Sequence, residues 1–75
     1  MKIYDDTIES LKLYGIKAGK TVNLKKDGES CVGLWVWCNP LLKDKKKEQL
    51  QSILGDSWRV WYLSSLEELH FKIKE

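Results

Sequence analysis

A chain of 75 residues that is 43% hydrophobic and 32% charged has the composition of one small globular domain, which excludes disorder, collagen and a disulfide-dense scaffold. A domain this short buries about 60 to 65% of the surface its unfolded chain exposes, so it has one modest core and no deep cleft closed by a second domain, which weighs against most enzymes. Thirteen Lys and Arg against eleven Asp and Glu give a formal charge of +2, too mild to demand a polyanionic partner.

The start, Met1-Lys2-Ile3-Tyr4-Asp5-Asp6, turns acidic before an apolar stretch forms, so no signal peptide is expected. The longest apolar run, residues 31–38, is eight residues with a Gly inside it, against the roughly 20 that span a bilayer. A cytoplasmic protein without a membrane partner is the expectation.

The first element is a helix over residues 6–14, with Asp6 as cap, Glu9 at the capping-box position and Gly15 as the stop. The sequence leaves open whether residues 1–4 add a short strand. Residues 21–25 alternate polar and apolar like an edge strand, and Lys26-Asp27-Gly28 supplies a hairpin turn into a second strand over residues 30–38. That second strand is apolar on both faces, as a central strand is. Asn39-Pro40 opens a helix running to Leu54, with Gly55 as its stop and Leu42, Leu50, Ile53 and Leu54 as its apolar stripe. Residues 58–63, rich in aromatic and β-branched types, read as a third strand. Ser65-Leu66-Glu67-Glu68 has the form of a capping box, which predicts a final helix with Leu66, Leu69 and Ile73 on one face. The expected fold is therefore α+β in the order α-β-β-α-β-α: a small three-stranded mixed sheet, strand order 1-2-3, packed with three helices in a single domain. A right-handed crossover would lay the third strand parallel to the second.

Several motifs offer chemistry and do not sustain it. Gly15 to Thr21 looks like a phosphate loop, but three residues rather than four separate the first Gly from Gly19-Lys20, and a helix precedes it where a strand is required. His70, the only histidine, has no close Cys or His spacing with Cys31 and Cys38, and these two sit on opposite faces of one strand. No metal, no cofactor and no disulfide is expected, and His70 reads as a partly exposed helix residue. Asp5, Asp6 and Glu9, like Glu67 and Glu68, are explained by negative charge at a helix start. No nucleophile, base and oxyanion set can be assembled, so the chain is read as no enzyme.

Two features remain. Lys43, Lys45, Lys46 and Lys47 crowd the first half of a helix, where the dipole makes cations unfavourable, which points to an anionic or acidic partner. Trp is several times its usual share, and strand parity sets Val32, Leu34 and Val36 against Trp35 and Trp37, and Trp58, Val60 and Tyr62 against Arg59, Trp61 and Leu63. If the aliphatic set meets the helices, Trp35, Trp37, Arg59 and Trp61 share the other face, flanked by Thr21, Asn23 and Lys25. Trp and Arg dominate binding hot spots. Buried core is the competing use of those rings.

The expectation is a non-enzymatic protein-binding module, an inhibitor or adaptor that occludes a partner's surface through Trp35, Trp37, Arg59, Trp61 and Lys43, Lys45, Lys46 and Lys47. The partner would be a protein with an acidic surface, and the chain itself a monomer or homodimer. Its narrowest specification is a phage or mobile-element product that inhibits a host or defence protein, a common use of lone Lys-heavy domains this small. The alternative is a nucleic-acid-binding domain with Lys25, Lys26, Lys43, Lys45, Lys46, Lys47 and Arg59 on phosphates and Trp rings on bases. Against it, twelve of the thirteen basic residues are Lys, whereas the forked guanidinium of Arg suits phosphate and base edges better.

Overall fold

The computed structural model describes residues 2–25 and 28–74, without the side chains of Lys25 and Glu29. Helix α1 covers Lys2–Lys12, strand β1 Ala18–Lys25 and strand β2 Gly28–Trp37. A 3-10 turn over Pro40–Leu42 leads into helix α2, Lys43–Leu54, and strands β3, Trp58–Leu63, and β4, Glu68–Ile73, complete the chain. The sheet has four strands in the order β1-β2-β4-β3, and every neighbouring pair is antiparallel.

This corrects the expected three-stranded mixed sheet and third helix. The segment after Ser65 is strand β4, and it lies between β2 and β3. The helical spacing of Leu66, Leu69 and Ile73 competes there with a period of two in which Leu69, Phe71 and Ile73 share a face. The second pattern prevails because it puts Leu69 and Phe71, both 0% exposed, at the centre of the core. Each large side chain so buried removes about 1.5 to 3 kcal/mol of apolar exposure, more than a capping box offers. Leu66 is 56% exposed, and Ser65-Leu66-Glu67 belongs to a turn in which the Leu66 and Glu67 amides donate to the carbonyls of Leu63 at 3.3 Å and Ser64 at 3.4 Å, while the Glu67 carbonyl accepts from the Cys38 amide at 2.8 Å. Strands β2 and β3 do run in the same direction, since each is antiparallel to β4, but β4 fills the place between them.

Other boundaries move less. Helix α1 begins at Lys2, so residues 2–4 are helical, and Gly15 follows it at φ 73°. Lys25 of β1 pairs with Gly28 of β2, and of the expected hairpin turn Lys26 and Asp27 lie outside the described residues. Asn39 Oδ1 accepts from the Leu41 amide at 3.0 Å, the cap expected of Asn-Pro, and Gly55 ends α2 at φ 85°, a value that favours glycine. Gln51 then ties α2 to β3, its Nε2 donating to the carbonyls of Gly55 at 2.8 Å and Trp58 at 3.0 Å.

Both helices lie against the same side of the sheet. Tyr4 and Leu11 from α1 and Leu50 from α2 join Leu34, Val36, Trp58, Val60, Leu69 and Phe71 in one core. Tyr4 meets Trp58 edge-on with ring centroids 5.7 Å apart. Asp5 of α1 pairs with Lys20 of β1, a hydrogen bond that holds the Asp5 carboxyl below its usual range. A β-bulge changes the parity of β2: Thr21 pairs with Gly33 but Val22 with Cys31, leaving Val32 as the extra residue. Cys31 is therefore turned to the core side along with Cys38, not to the opposite face, and Val32 does not share the burial of Leu34 and Val36. Leu42, placed in the apolar stripe of the second helix by its spacing, is 54% exposed because it closes the 3-10 turn. Among the described residues no helix is long and apolar enough to cross a membrane.

Candidate functional site

With both helices on one side, the other side of the sheet carries its side chains without a covering layer. The register aligns them in rows across the strands, since directly opposed residues share a face. The middle row is Gly19 on β1, Trp35 on β2, His70 on β4 and Trp61 on β3. Toward one end, Trp37 of β2, Glu68 of β4 and Leu63 of β3 form a second row. Toward the other end, Arg59 of β3 pairs with Lys72 of β4, and a Cβ on Gly33 of β2 would lie 3.6 Å from that of Lys72.

The rings are held in place by their neighbours. Trp35 lies over Gly19, where a Cβ would come within 2.5 Å of the indole Cε2; the glycine supplies the seat on which the ring lies flat. Trp61 and His70 have ring centroids 5.9 Å apart and planes inclined by 35°, and the Arg59 guanidinium lies 5.6 Å from the Trp61 ring centre, within cation–π range. His70 is 9% exposed, shielded by its flanking indoles. Its Nε2 is 3.1 Å from Glu68 Oε1; the imidazole donates there, because a carboxylate oxygen can only accept. Trp37 is 60% exposed, whereas Trp58 is 6% exposed and belongs to the core. The Trp excess is thus divided, one ring in the core and three on the open face.

Trp35, Trp37, Arg59 and Trp61 come together on this face. The lysines do not join them. Lys43, Lys45, Lys46 and Lys47 sit on α2, in the helical layer on the other side of the sheet. Lys43 Nζ lies 5.5 Å from the ring centre of Tyr62, a core-side residue of β3. The Lys25 side chain and Lys26 lie outside the described residues.

Sequence reasoning missed His70, Glu68 and Lys72, which reach the face only because β4 is a strand. The available signal was the alternation of Glu68, His70 and Lys72 with Leu69, Phe71 and Ile73.

The two thiols lie on the core side of the sheet. Cys31 Sγ donates to the Gly33 carbonyl at 3.2 Å and Cys38 Sγ to the Asn39 carbonyl at 3.4 Å, so neither thiol is paired with His70. Burial pushes the Cys38 thiol above its usual range, with Lys46 opposing the shift, which disfavours a thiolate nucleophile. Among the described residues no three His, Cys, Asp or Glu side chains gather as metal ligands would. Compared with protein-family models, curated proteins and solved structures, the chain matches none.

Proposed function

We propose that this chain is a non-catalytic protein-binding module whose contact surface is the open sheet face. The observation that carries the reading is the placement of three indoles opposite both helices, with Trp37 60% exposed. Rigid aromatic side chains on a sheet lose little entropy when a partner covers them, and Trp and Arg supply most hot-spot energy. The partner chemistry that fits is an apolar protein surface bearing carboxylates opposite Arg59 and Lys72. Such a contact works by occlusion, since a four-stranded sheet face covers a partner's site without entering it.

Nucleic acid is the second reading, favoured by the Arg59 guanidinium beside the Trp61 ring. It is the weaker one. The lysines of α2 lie on the other layer, so among the described side chains named for phosphate contact only Arg59 stands on the ring-bearing face, joined there by Lys72. Two phosphate contacts, the number the described side chains of this face offer, release few counterions and give only shallow salt dependence.

The test is a pull-down from host lysate, with and without nuclease treatment, using wild-type chain, Trp37→Ala and Arg59→Glu, each first checked for folding by circular dichroism. A protein retained by the wild type and reduced about tenfold or more by either substitution is the expected outcome. Retention that ignores both substitutions, or that disappears with nuclease, contradicts the reading.

A further inference from the structure

The second unexplained feature lies on α2, away from the sheet face. Leu42, Lys45, Lys46 and Gln49 line a groove of about 380 Å³. Their spacing of three, one and three residues places them along one helical stripe. The apolar surface in its lining is left uncovered by the fold: Leu42 is 54% exposed, and Leu41 next to it in the chain is 91% exposed. Neither leucine adds to the core, and their exposure costs solvation without a structural return.

The charge around the groove has one sign. At 3.6 residues per turn, Asp44 and Glu48 project to the other side of α2 from the Leu42-Lys45-Lys46-Gln49 stripe. Among the described residues neither Lys45 nor Lys46 makes an ion pair. These cations also stand in the first half of the helix, where its dipole works against them. An apolar floor edged by two unpaired ammonium groups complements a chain segment that carries carboxylates on both sides of one aliphatic or aromatic side chain.

We propose that this groove is a docking site for an acidic protein segment with a single apolar anchor, the anchor seated against Leu42 and flanking carboxylates on Lys45 and Lys46. An anionic membrane fits less well. The lysines are interleaved with Asp44 and Glu48, giving a local excess of only two positive charges over residues 43–48, whereas headgroup binding uses uninterrupted basic clusters. The groove is in the helical layer and the Trp face on the opposite side of the sheet, so both can be occupied at once. The site stands or falls independently of the sheet-face reading.

The experiment titrates the 15N-labelled full chain with a short Asp/Glu-rich peptide holding one central leucine, with the same peptide carrying serine there, with phosphatidylserine-containing vesicles and with a single-stranded oligonucleotide. The leucine peptide is expected to shift the amides of Leu42, Lys45, Lys46 and Gln49 and to leave those of Trp35 and Trp61 in place. Its affinity should fall about tenfold with the serine peptide, with Leu42→Ala or with paired Lys45→Glu and Lys46→Glu, and remain unchanged in Trp37→Ala. Leu42 is exposed, so its substitution leaves the core intact, and amide dispersion verifies folding of every variant. Absent shifts, equal binding of the two peptides, or tighter binding to vesicles or oligonucleotide overturns the proposal.

Discussion

Tyr62 shows how one residue can sit between the two layers without belonging fully to either. Its ring packs against the core and under the Lys43 ammonium, while its hydroxyl is buried with no hydrogen-bond partner among the described residues. A buried donor left unmatched is unfavourable, so Tyr62→Phe is expected to hold or raise stability at neutral pH. Burial first, then Glu67 and Cys38, push the phenol above its usual range. An acid whose folded pKa is raised stabilises the fold in its neutral form. That contribution is complete below the unfolded value of about 10 and is lost as pH rises through the folded value. Urea unfolding from about pH 8 to about pH 11 should therefore show the wild type losing stability at the alkaline end more steeply than Tyr62→Phe. Parallel curves would refute the assignment. Little of this was legible beforehand: parity put Tyr62 on the core side with Trp58 and Val60, but its orphaned hydroxyl depends on how α2 and the turn after β3 close around it.

Between elements, the seat of Trp35 is the contact that shapes the open face. β1 contributes Gly19 and β2 contributes the ring that covers it; no other residue type leaves that space. Gly19→Ala must displace the indole, at a cost of about 1 to 3 kcal/mol as for other overpacked sites. Urea denaturation followed by Trp fluorescence should show that loss, with a changed native emission maximum. A variant within about 0.5 kcal/mol of wild type and with unchanged emission would mean the ring does not rest there. The sequence was most misleading at the element after Ser65. Its capping-box form and the spacing of Leu66, Leu69 and Ile73 satisfy a helix locally, and only the vacancy between β2 and β3 makes a strand the better use of Leu69 and Phe71. By contrast the Asn39-Pro40 start and the Gly15 and Gly55 stops were readable, because they depend on backbone geometry within a few residues. The bulge at Val32 left no readable mark, and it alone reversed the facing expected for Cys31.

For the whole molecule, the order β1-β2-β4-β3 is that of two helix-hairpin units, α1-β1-β2 and α2-β3-β4, joined through the antiparallel contact of β2 with β4. Each unit lays its helix on the same side of the continuous sheet, so the two helices together build the core and neither remains to cover the second face. That is why Trp35, Trp37 and Trp61 are on a surface. Parity along β2 from Leu34 onward and along β3 made this grouping legible, while the separation of the lysines from it follows from the helical layer and was not. The central claim is that this face stays open in the isolated chain. It is tested most directly by solvent paramagnetic relaxation at the four indole N–H groups of the 15N-labelled protein. The largest enhancement should fall on Trp37, the smallest on Trp58, and intermediate values on Trp35 and Trp61. Protection of Trp37 equal to that of Trp58 would mean the face is covered and would contradict the account.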